Sequence, residues 1–402
     1  MSSGNIHANI YRGRLKQLQD NLRSEGWQAA LVMQPRDLYY YAGTAQPANL
    51  WLPAEGEPVL FTRRVHEMAR EATWIDRTVS ASSFSEMQKA LLDLESALPS
   101  GAVLGVEQDV LPYRLVESLK KNLEVVELGN LSPIILRQRL VKDDTEVAHI
   151  RGAVELWKKG HEAIMETLAV GVAEYEVAAA MEYAAREGGG DGTVWPRRWD
   201  SYLPAGGIVA SGPNSWVVSG EAMTVTGVGL SQALPWGPSS RRLESGDLVV
   251  VDFCISREGY HCDMTRTYCV GKPKKEQQDL WDRLLDLHLQ VVDSVRPGVT
   301  GEELYLIAKG VAEKMGLIES FMGVGGERGA YIGHSIGLEL DEWPVLGAGS
   351  HEPLPPGAVV TIEPKFMVPG LGGVMVEDDI LVTPNGHEVI STLERELFAP
   401  EN

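Results

Sequence analysis

The sequence of 402 residues contains only three cysteines, Cys254, Cys262 and Cys269. Three thiols cannot form the disulfide framework of a small secreted domain, and they are typical of a protein from a reducing compartment. The N-terminal residues also lack the charged and then apolar pattern of a signal peptide. We therefore expect a cytoplasmic protein.

Long apolar runs and an excess of positive charge are missing as well. No stretch approaches the ~18 apolar residues that a membrane-spanning helix requires. Lysine and arginine together number 36, against 56 aspartates and glutamates, which leaves a formal net charge of −20. Nucleic acids and anionic membrane surfaces bind basic surfaces, so we expect neither as a partner. A negative cleft would instead favour cationic substrates.

The apolar pattern predicts two domains of mixed α/β structure. In the first domain, residues 1–140, strand-like and helical segments alternate: 11–24 (helix), 28–33 and 57–62 (strands), 87–98 (helix), 102–106 (strand) and 111–123 (helix). This alternation predicts a mostly parallel or mixed sheet. We place the second domain at 141–402, because a long helix over 145–169, capped by Asp144 or Thr145, begins there.

The second domain has further helical patterns at 175–187, 275–295 and 300–315. The last of these opens with Thr300 and Glu303, which form a capping-box pattern. The glycine-rich segment 323–329 superficially resembles a dinucleotide fingerprint, but no strand precedes it. We therefore interpret this segment as a mobile loop.

Five residues in the second domain could form a two-metal site. They stand in strand-like or glycine-flanked sequence and are Asp252, Asp263, His334, Glu363 and Glu377. Four carboxylates around one cavity would raise each other's pKa, and two divalent cations would balance their charge. Oxygen ligands with one imidazole suit Mn²⁺, Co²⁺, Fe²⁺ or Zn²⁺. For any single acid, a chance placement or a structural ion pair is the alternative.

Strand alternation predicts how the two aspartates meet. A tight turn at Arg257 and Glu258 would place Asp252 directly opposite Asp263 in a hairpin. A bulge at Gly259 would break that register. Without such a bulge, the two carboxylates would share one face of the hairpin.

A second hairpin is predicted around Gly370. A turn with this midpoint would place Glu363 opposite Glu377. His334 would then complete the ligand set from a third segment.

The motifs around the five residues resemble those of metallopeptidase family M24, which comprises methionine and Xaa-Pro aminopeptidases, prolidase and the non-peptidase creatinase. The matching sequences are Val-Val-Val-Asp252, Cys-Asp263-Met-Thr-Arg-Thr, Gly-His334-Ser-Ile-Gly, Thr-Ile-Glu363-Pro and Val-Met-Val-Glu377-Asp. The resemblance implies an α/β (α+β) protein in which a creatinase-like N-terminal domain precedes a pita-bread catalytic domain. It also implies a homodimer.

The resemblance further implies a role for each ligand. Asp263 and Glu377 would bridge two divalent ions, with Mn²⁺ as the first choice and Co²⁺, Zn²⁺ or Fe²⁺ as alternatives. Asp252 would bind one ion, while His334 and Glu363 would bind the other. The implied reaction is cleavage of the amide bond N-terminal to proline in a dipeptide or short peptide by a metal-bridging hydroxide, with Glu363 relaying the proton.

The sequence departs from the family's peptidases at two auxiliary histidines. Trp236 and Asp341 stand in their places. These replacements indicate an alternative function, the cleavage of a C–N or C–S bond in a small methylated ammonium, sulfonium or guanidino metabolite. Trp236, Asp341 and Trp343 are candidate substrate contacts, since aromatic faces attract organic cations. Core packing is the alternative for the tryptophans.

Arg266 follows Asp263 in the Thr-Arg-Thr sequence. We expect it to support a metal-binding carboxylate or to contact the substrate.

Overall fold

The computed structural model describes residues 3–124, 127–198, 207–220 and 225–400. The chain divides into two compact units, Met1–Arg139 and Leu140–Asn402. Among the described helices, none combines the length and the apolar character needed to cross a membrane.

The first unit is built on a six-stranded mixed sheet with the strand order β4-β3-β2-β1-β5-β6. Its strands are β1 (Ala29–Val32), β2 (Ala48–Pro53), β3 (Val59–Thr62), β4 (Thr78–Ser80), β5 (Val103–Val106) and β6 (Glu127–Asn130). β2 runs antiparallel to both neighbours, and the other pairs are parallel. The predicted mixed sheet is therefore confirmed, although β2, β4 and β6 were not predicted.

Helices connect and cover these strands. They are α1 (Ser3–Ser24), α2 (Pro35–Ala42), α3 (His66–Ala72), α4 (Phe84–Asp93), α5 (Tyr113–Leu123) and α6 (Ser132–Leu140). The leucine stripe of α1 is buried at Leu15, Leu18 and Leu22, as its helical spacing predicts. α4 begins earlier than the pattern suggests, because the Ser83 hydroxyl accepts a hydrogen bond from the Glu86 N–H and caps the helix.

The helices of the second unit lie close to their predicted positions. They are α7 (Asp144–Thr167), α8 (Glu174–Glu187), α9 (Lys275–Val292) and α10 (Gly301–Lys314). The Thr300–Glu303 capping box is confirmed. The cap of α7 is Asp143, not Asp144 or Thr145, since its carboxylate accepts from two backbone N–H groups of the first turn.

The strands of the second unit form two larger sheets and two short hairpins. They are β7 (Gly207–Ser211), β8 (Leu248–Arg257), β9 (Tyr260–Cys269), β10 (Gly323–Val324), β11 (Glu327–Arg328), β12 (Tyr331–Ser335), β13 (Glu342–Gly347), β14 (Val359–Ile362), β15 (Lys365–Val368), β16 (Gly372–Met375), β17 (Asp378–Thr383) and β18 (Gly386–Val389). One sheet has the order β7-β8-β9 and the other β13-β12-β14-β17-β18. β10 and β11 form a small hairpin where the sequence suggested only a loop.

A large apolar core supports the strands that carry acidic residues. Ile362 of β14 and Ile380 of β17 are fully buried beside Leu284 and Leu287 of α9. Burial of such side chains contributes about 1.5–3 kcal/mol each. The core therefore fixes the strand ends at which Glu363 and the residues before β17 stand.

The β8–β9 hairpin has a different turn from the one predicted. Glu258 and Gly259 are its central residues, and both have positive φ angles, 53° and 80°. Asp252 consequently pairs with Thr265, and Cys254 pairs with Asp263. The predicted direct pairing of Asp252 with Asp263 is wrong, because the turn is centred one residue further along the chain than predicted. A turn with positive φ angles at Glu258 and Gly259 matches the twist of the two strands.

Candidate metal centre

Each of the five candidate ligands is positioned by a strand or a strand end. Asp252 lies in β8, Asp263 in β9 and His334 in β12. Glu363 directly follows β14, and Glu377 directly precedes β17. The sequence predicted all five residues as one ligand set, and the structure brings them into a common region of the second unit.

The two aspartates share one face of the β8–β9 hairpin. Asp252 pairs with Thr265, which is two residues from Asp263 on the same strand. Alternate residues of a strand point to the same face, so Asp252 and Asp263 are diagonal neighbours. The corrected register therefore preserves the shared face that the predicted register implied. Cys254 lies opposite Asp263 and is buried.

Glu363 and Glu377 stand where two β-ladders meet. Ile362 pairs with Asp378 on one side, and Lys365 pairs with Met375 on the other. This common register places Glu363 opposite Glu377 and confirms the predicted hairpin centred on Gly370. The backbone N–H of Glu377 also donates to the Thr265 carbonyl at 3.2 Å, which links this hairpin to β9.

Three of the candidate ligands converge closely. Donor atoms of Asp263, His334 and Glu377 all lie within 4.8 Å of one another. The His334 Nε2 atom lies 3.8 Å from Asp263 Oδ2 and 3.7 Å from Glu363 Oε1. His334 Nδ1 is 3.1 Å from the Ser335 carbonyl, and donation to that oxygen leaves Nε2 as a lone-pair donor. This is the arrangement that a metal-binding imidazole requires.

Burial, and then the charge of neighbouring carboxylates, disfavours the ionised forms of these acids. Desolvation and the nearby charge of Glu363 raise the pKa of Asp252 to about 7. Desolvation first, and then Asp252 and Glu363, raise the pKa of Asp263 well above its usual value. Desolvation and the charge of Asp263 do the same to Glu377. A bound cation would relieve this repulsion.

A buried oxygen of Glu377 provides a direct test of whether a cation fits. Glu377 Oε2 accepts a hydrogen bond from the Thr265 hydroxyl at 2.8 Å. Glu377 Oε1 is buried and has no hydrogen-bond partner among the residues that the structure describes. Buried carboxylate oxygens are normally paired or bound to a metal. The donor set thus fits a divalent ion.

Neighbouring groups hold the candidate ligands in place. The Asp379 carboxylate accepts from the backbone N–H of Asp263 at 3.3 Å. Arg266 is fully buried, and it donates to the Glu377 carbonyl at 2.8 Å and to Asp378 Oδ1 at 2.8 Å. The structure thus favours the supporting role for Arg266, because its guanidinium is occupied by buried protein groups rather than by open space.

Lys365 is a functional candidate that the sequence analysis missed. Its side chain is fully buried, and its Nζ atom lies 2.9 Å from Glu363 Oε2. The signal was available, because Lys365 is two residues from Glu363 and interrupts an otherwise apolar strand. The buried ammonium group therefore belongs to the candidate centre.

The candidate substrate residues have different surroundings. Trp236 is only 2% exposed and packs with Ile208, Val250 and other apolar residues, and half-buried Trp216 packs against the same cluster. Trp343 is half-buried against the separate core beneath β14. This favours the packing alternative, and substrate contact by Trp236 and Trp343 stays a prediction. Trp199 lies outside the described residues.

Asp341 differs from the tryptophans because it is open to solvent beside the ligands. Its side chain is 58% exposed, and its Oδ1 atom lies 3.3 Å from His334 Nε2. The exposed carboxylate can therefore contact a molecule that approaches the centre.

Buried acids and an imidazole on two hairpins and a third strand define a metal-dependent hydrolase with the pita-bread fold. A family model of metallopeptidase family M24 matches residues 148–384, and one of the creatinase/prolidase N-terminal domain matches residues 14–141. The chain belongs to metallopeptidase family M24.

Named relatives match nearly the whole chain. It is 30% identical to the Xaa-Pro dipeptidase of Pyrococcus horikoshii over 390 residues, which cover 97% of this chain and 99% of the relative. The crystal structure of the prolidase from Pyrococcus horikoshii superposes with a TM-score of 0.79 at 30% identity, covering 96% of this chain and 99% of that chain. The Xaa-Pro dipeptidase from Bacillus anthracis gives 0.82 at 27% identity, covering 97% and 99%. The chain is thus a metallohydrolase related to enzymes with these names.

Proposed function

We propose that this protein hydrolyses Xaa-Pro dipeptides or short peptides at the amide bond that precedes proline. The observation that carries the proposal is the convergence of the Asp263, His334 and Glu377 donors within 4.8 Å. It occurs in a chain that matches an Xaa-Pro dipeptidase over 97% of its length. A likeness of 30% identity supports the reaction class and leaves the substrate to experiment.

The ligands would be the five residues that the sequence indicated. Asp263, His334 and Glu377 would hold one ion, and Asp252 and Glu363 are the remaining donors of the predicted pair. Manganese is the ion that we favour, since the set is rich in carboxylate oxygens. When bound, divalent ions supply an activated water and polarise the substrate carbonyl.

Glu363 is the residue that we propose for proton transfer. Its Oε1 atom faces His334 Nε2 at 3.7 Å, while Lys365 holds its Oε2 atom at 2.9 Å. Held in this way, the carboxylate can accept a proton from the water that attacks the carbonyl carbon. It can then donate that proton to the proline nitrogen as the C–N bond breaks.

A panel of substrates tests the proposal. The purified protein loaded with Mn²⁺ should release proline from Xaa-Pro dipeptides, and chelation should abolish the release. Dipeptides with proline replaced by alanine are the matched controls for specificity. Turnover of none of the proline substrates by metal-loaded protein would exclude the peptidase function.

A second candidate function rests on Asp341. This carboxylate is 58% exposed and is close to the ligand His334. It could bind the charged group of a small methylated ammonium, sulfonium or guanidino metabolite. The C–N or C–S bond of that metabolite would then be cleaved by hydrolysis, in which water adds to the two fragments, or by β-elimination, in which the substrate loses a β-proton and the amine or thioether leaves. Turnover of such compounds, without turnover of Xaa-Pro dipeptides, would select this alternative.

The homodimer also stays a proposal. Light scattering of the purified protein would measure a mass near twice the chain mass of 44.0 kDa if it is correct.

A further inference from the structure

Lys365 places a positive charge inside the candidate metal centre. It opens β15, it is fully buried, and its Nζ atom lies 2.9 Å from Glu363 Oε2. Burying an ammonium group is costly unless it is paired with a nearby anion. The structure supplies that anion from a residue that was expected to bind a metal.

The charge of Lys365 also reaches Asp252. The Asp252 carboxylate interacts electrostatically with both Lys365 and Glu363. Glu363 and Asp252 are therefore the carboxylates on which Lys365 acts. They are also the two acids outside the close cluster of Asp263, His334 and Glu377.

The candidate donors thus divide into two sets. Asp263, His334 and Glu377 converge within 4.8 Å and include the buried Oε1 atom of Glu377 that lacks a hydrogen-bond partner among the described residues. A bound cation would satisfy such an oxygen. In the other set, Glu363 Oε2 already has a cationic partner at 2.9 Å.

We propose that the Lys365 ammonium takes the place of one divalent ion, so that the centre binds a single metal ion at Asp263, His334 and Glu377. The inference rests on the proposed metal-dependent function and changes its metal count. Two divalent ions would balance the four carboxylates Asp252, Asp263, Glu363 and Glu377, and an added ammonium would leave an excess of positive charge. One ion together with Lys365 keeps the centre slightly negative.

The proposal makes Lys365 a positioning residue for Glu363. An ammonium at Oε2 fixes the carboxylate and leaves Oε1 directed to His334. A carboxylate bound to a second ion would instead have both its orientation and its basicity set by that metal.

Metal content tests the proposal without any activity assay. The wild-type protein, loaded with excess Mn²⁺ and desalted, should retain about one ion per chain by elemental analysis, because the ammonium repels a second cation. Lys365→Met removes the charge at similar length and should raise the content to about two ions. Lys365→Arg keeps the charge and should stay at the wild-type value.

Electron paramagnetic resonance of the Mn²⁺-loaded wild-type protein provides a second measurement that needs no variant. An uncoupled Mn²⁺ spectrum supports the single-ion centre, even where Lys365→Met does not fold. A spin-coupled Mn²⁺ pair in the wild type, or a Lys365→Met protein that folds and still retains one ion, overturns the proposal. Retention of one ion by a wild-type protein that cleaves no Xaa-Pro dipeptide would refute the proposed function alone. Absence of any retained metal would refute both.

Discussion

Glu363 lies opposite Glu377 at the junction of two β-ladders. The pairs Ile362–Asp378 and Lys365–Met375 flank this position and share one register. Two carboxylates facing each other across a hairpin are destabilising unless a cation or a proton lies between them. Metal binding should therefore stabilise this hairpin.

Removing the charge of Glu363 should abolish most of the activity. Glu363→Gln keeps the shape of the side chain but cannot accept the proton of the attacking water. We expect kcat for Xaa-Pro hydrolysis to fall by about 10²–10⁴-fold, the range of a lost general acid–base group. Glu352→Gln, at an exposed position, is the control and should leave kcat unchanged. Equal kcat values for both variants would remove Glu363 from the mechanism.

Metal should stabilise the protein more at pH 8 than at pH 5.5. Asp252, with a pKa raised to about 7, and Asp263 and Glu377, with pKa values well above their usual range, are easier to keep protonated in the folded than in the unfolded chain. Their contribution to the stability of the metal-free protein is present at low pH and is lost as pH rises through these values. A bound metal ion supplies positive charge in place of the lost protons. The stabilisation by metal therefore increases as the pH rises from 5.5 to 8.

Thermal unfolding with and without Mn²⁺ measures this effect. Metal at one hundred times its Kd stabilises the folded state by about 2.7 kcal/mol. Glu107 in the first unit also has a pKa raised to about 7, mainly by desolvation, but its contribution does not depend on metal. Asp263→Asn should therefore lose most of the metal-induced rise in Tm, whereas the pH dependence of the metal-free protein that comes from Glu107 should remain. A metal-induced rise that is equal at both pH values would contradict the argument.

Arg266 should matter for folding rather than for substrate binding. Desolvation would raise the pKa of Asp378, but the charge of Arg266 and the contacts of His288 hold that pKa well below its ordinary value. Arg266→Met removes a positive charge that balances the fully buried Asp378 carboxylate. We expect the free energy of unfolding to fall by about 3–5 kcal/mol.

A solvent-exposed ion pair supplies the comparison for Arg266. Arg151 lies 2.8 Å from Glu388, and both side chains are well exposed. Arg151→Met should cost at most about 1 kcal/mol. Denaturant unfolding of both variants measures the difference, and similar losses would show that burial of the Arg266–Asp378 pair is energetically unimportant.

The sequence predicted one hairpin register correctly and the other incorrectly, for a physical reason. Gly370 lies at the midpoint between Glu363 and Glu377, and a turn there needs no unusual non-glycine residue. The other turn requires Glu258 to adopt a positive φ angle, which few non-glycine residues do. Gly259 is typical of such a turn, but Glu258 is not among the residue types that usually precede the glycine.

The composition of the ligand set could be predicted, whereas its charge balance could not. Asp263, His334 and Glu377 stand in specific motifs, so their convergence was expected. The contacts of Arg266 and Asp379 depend on long-range packing between β9 and β17, which sequence spacing does not encode. The contact of Lys365 with Glu363 could not be predicted, because a single lysine in a strand is usually exposed and its burial follows from the packing of the whole unit.

Asp341 offers the clearest test of how the replaced auxiliary histidine affects the cleavage of Xaa-Pro substrates. It is exposed beside His334, so Asp341→His can place an imidazole near the centre without disturbing the core. If loss of the auxiliary histidine limits peptide cleavage, the variant should raise kcat/KM for Xaa-Pro dipeptides by roughly tenfold or more. Trp236→His is a poorer test, because removing an indole from an apolar cluster costs about 3–5 kcal/mol. Asp341→Asn controls for loss of the negative charge. A gain with asparagine as large as that with histidine would show that the carboxylate merely repels the peptide, and no gain with either would separate Asp341 from substrate choice.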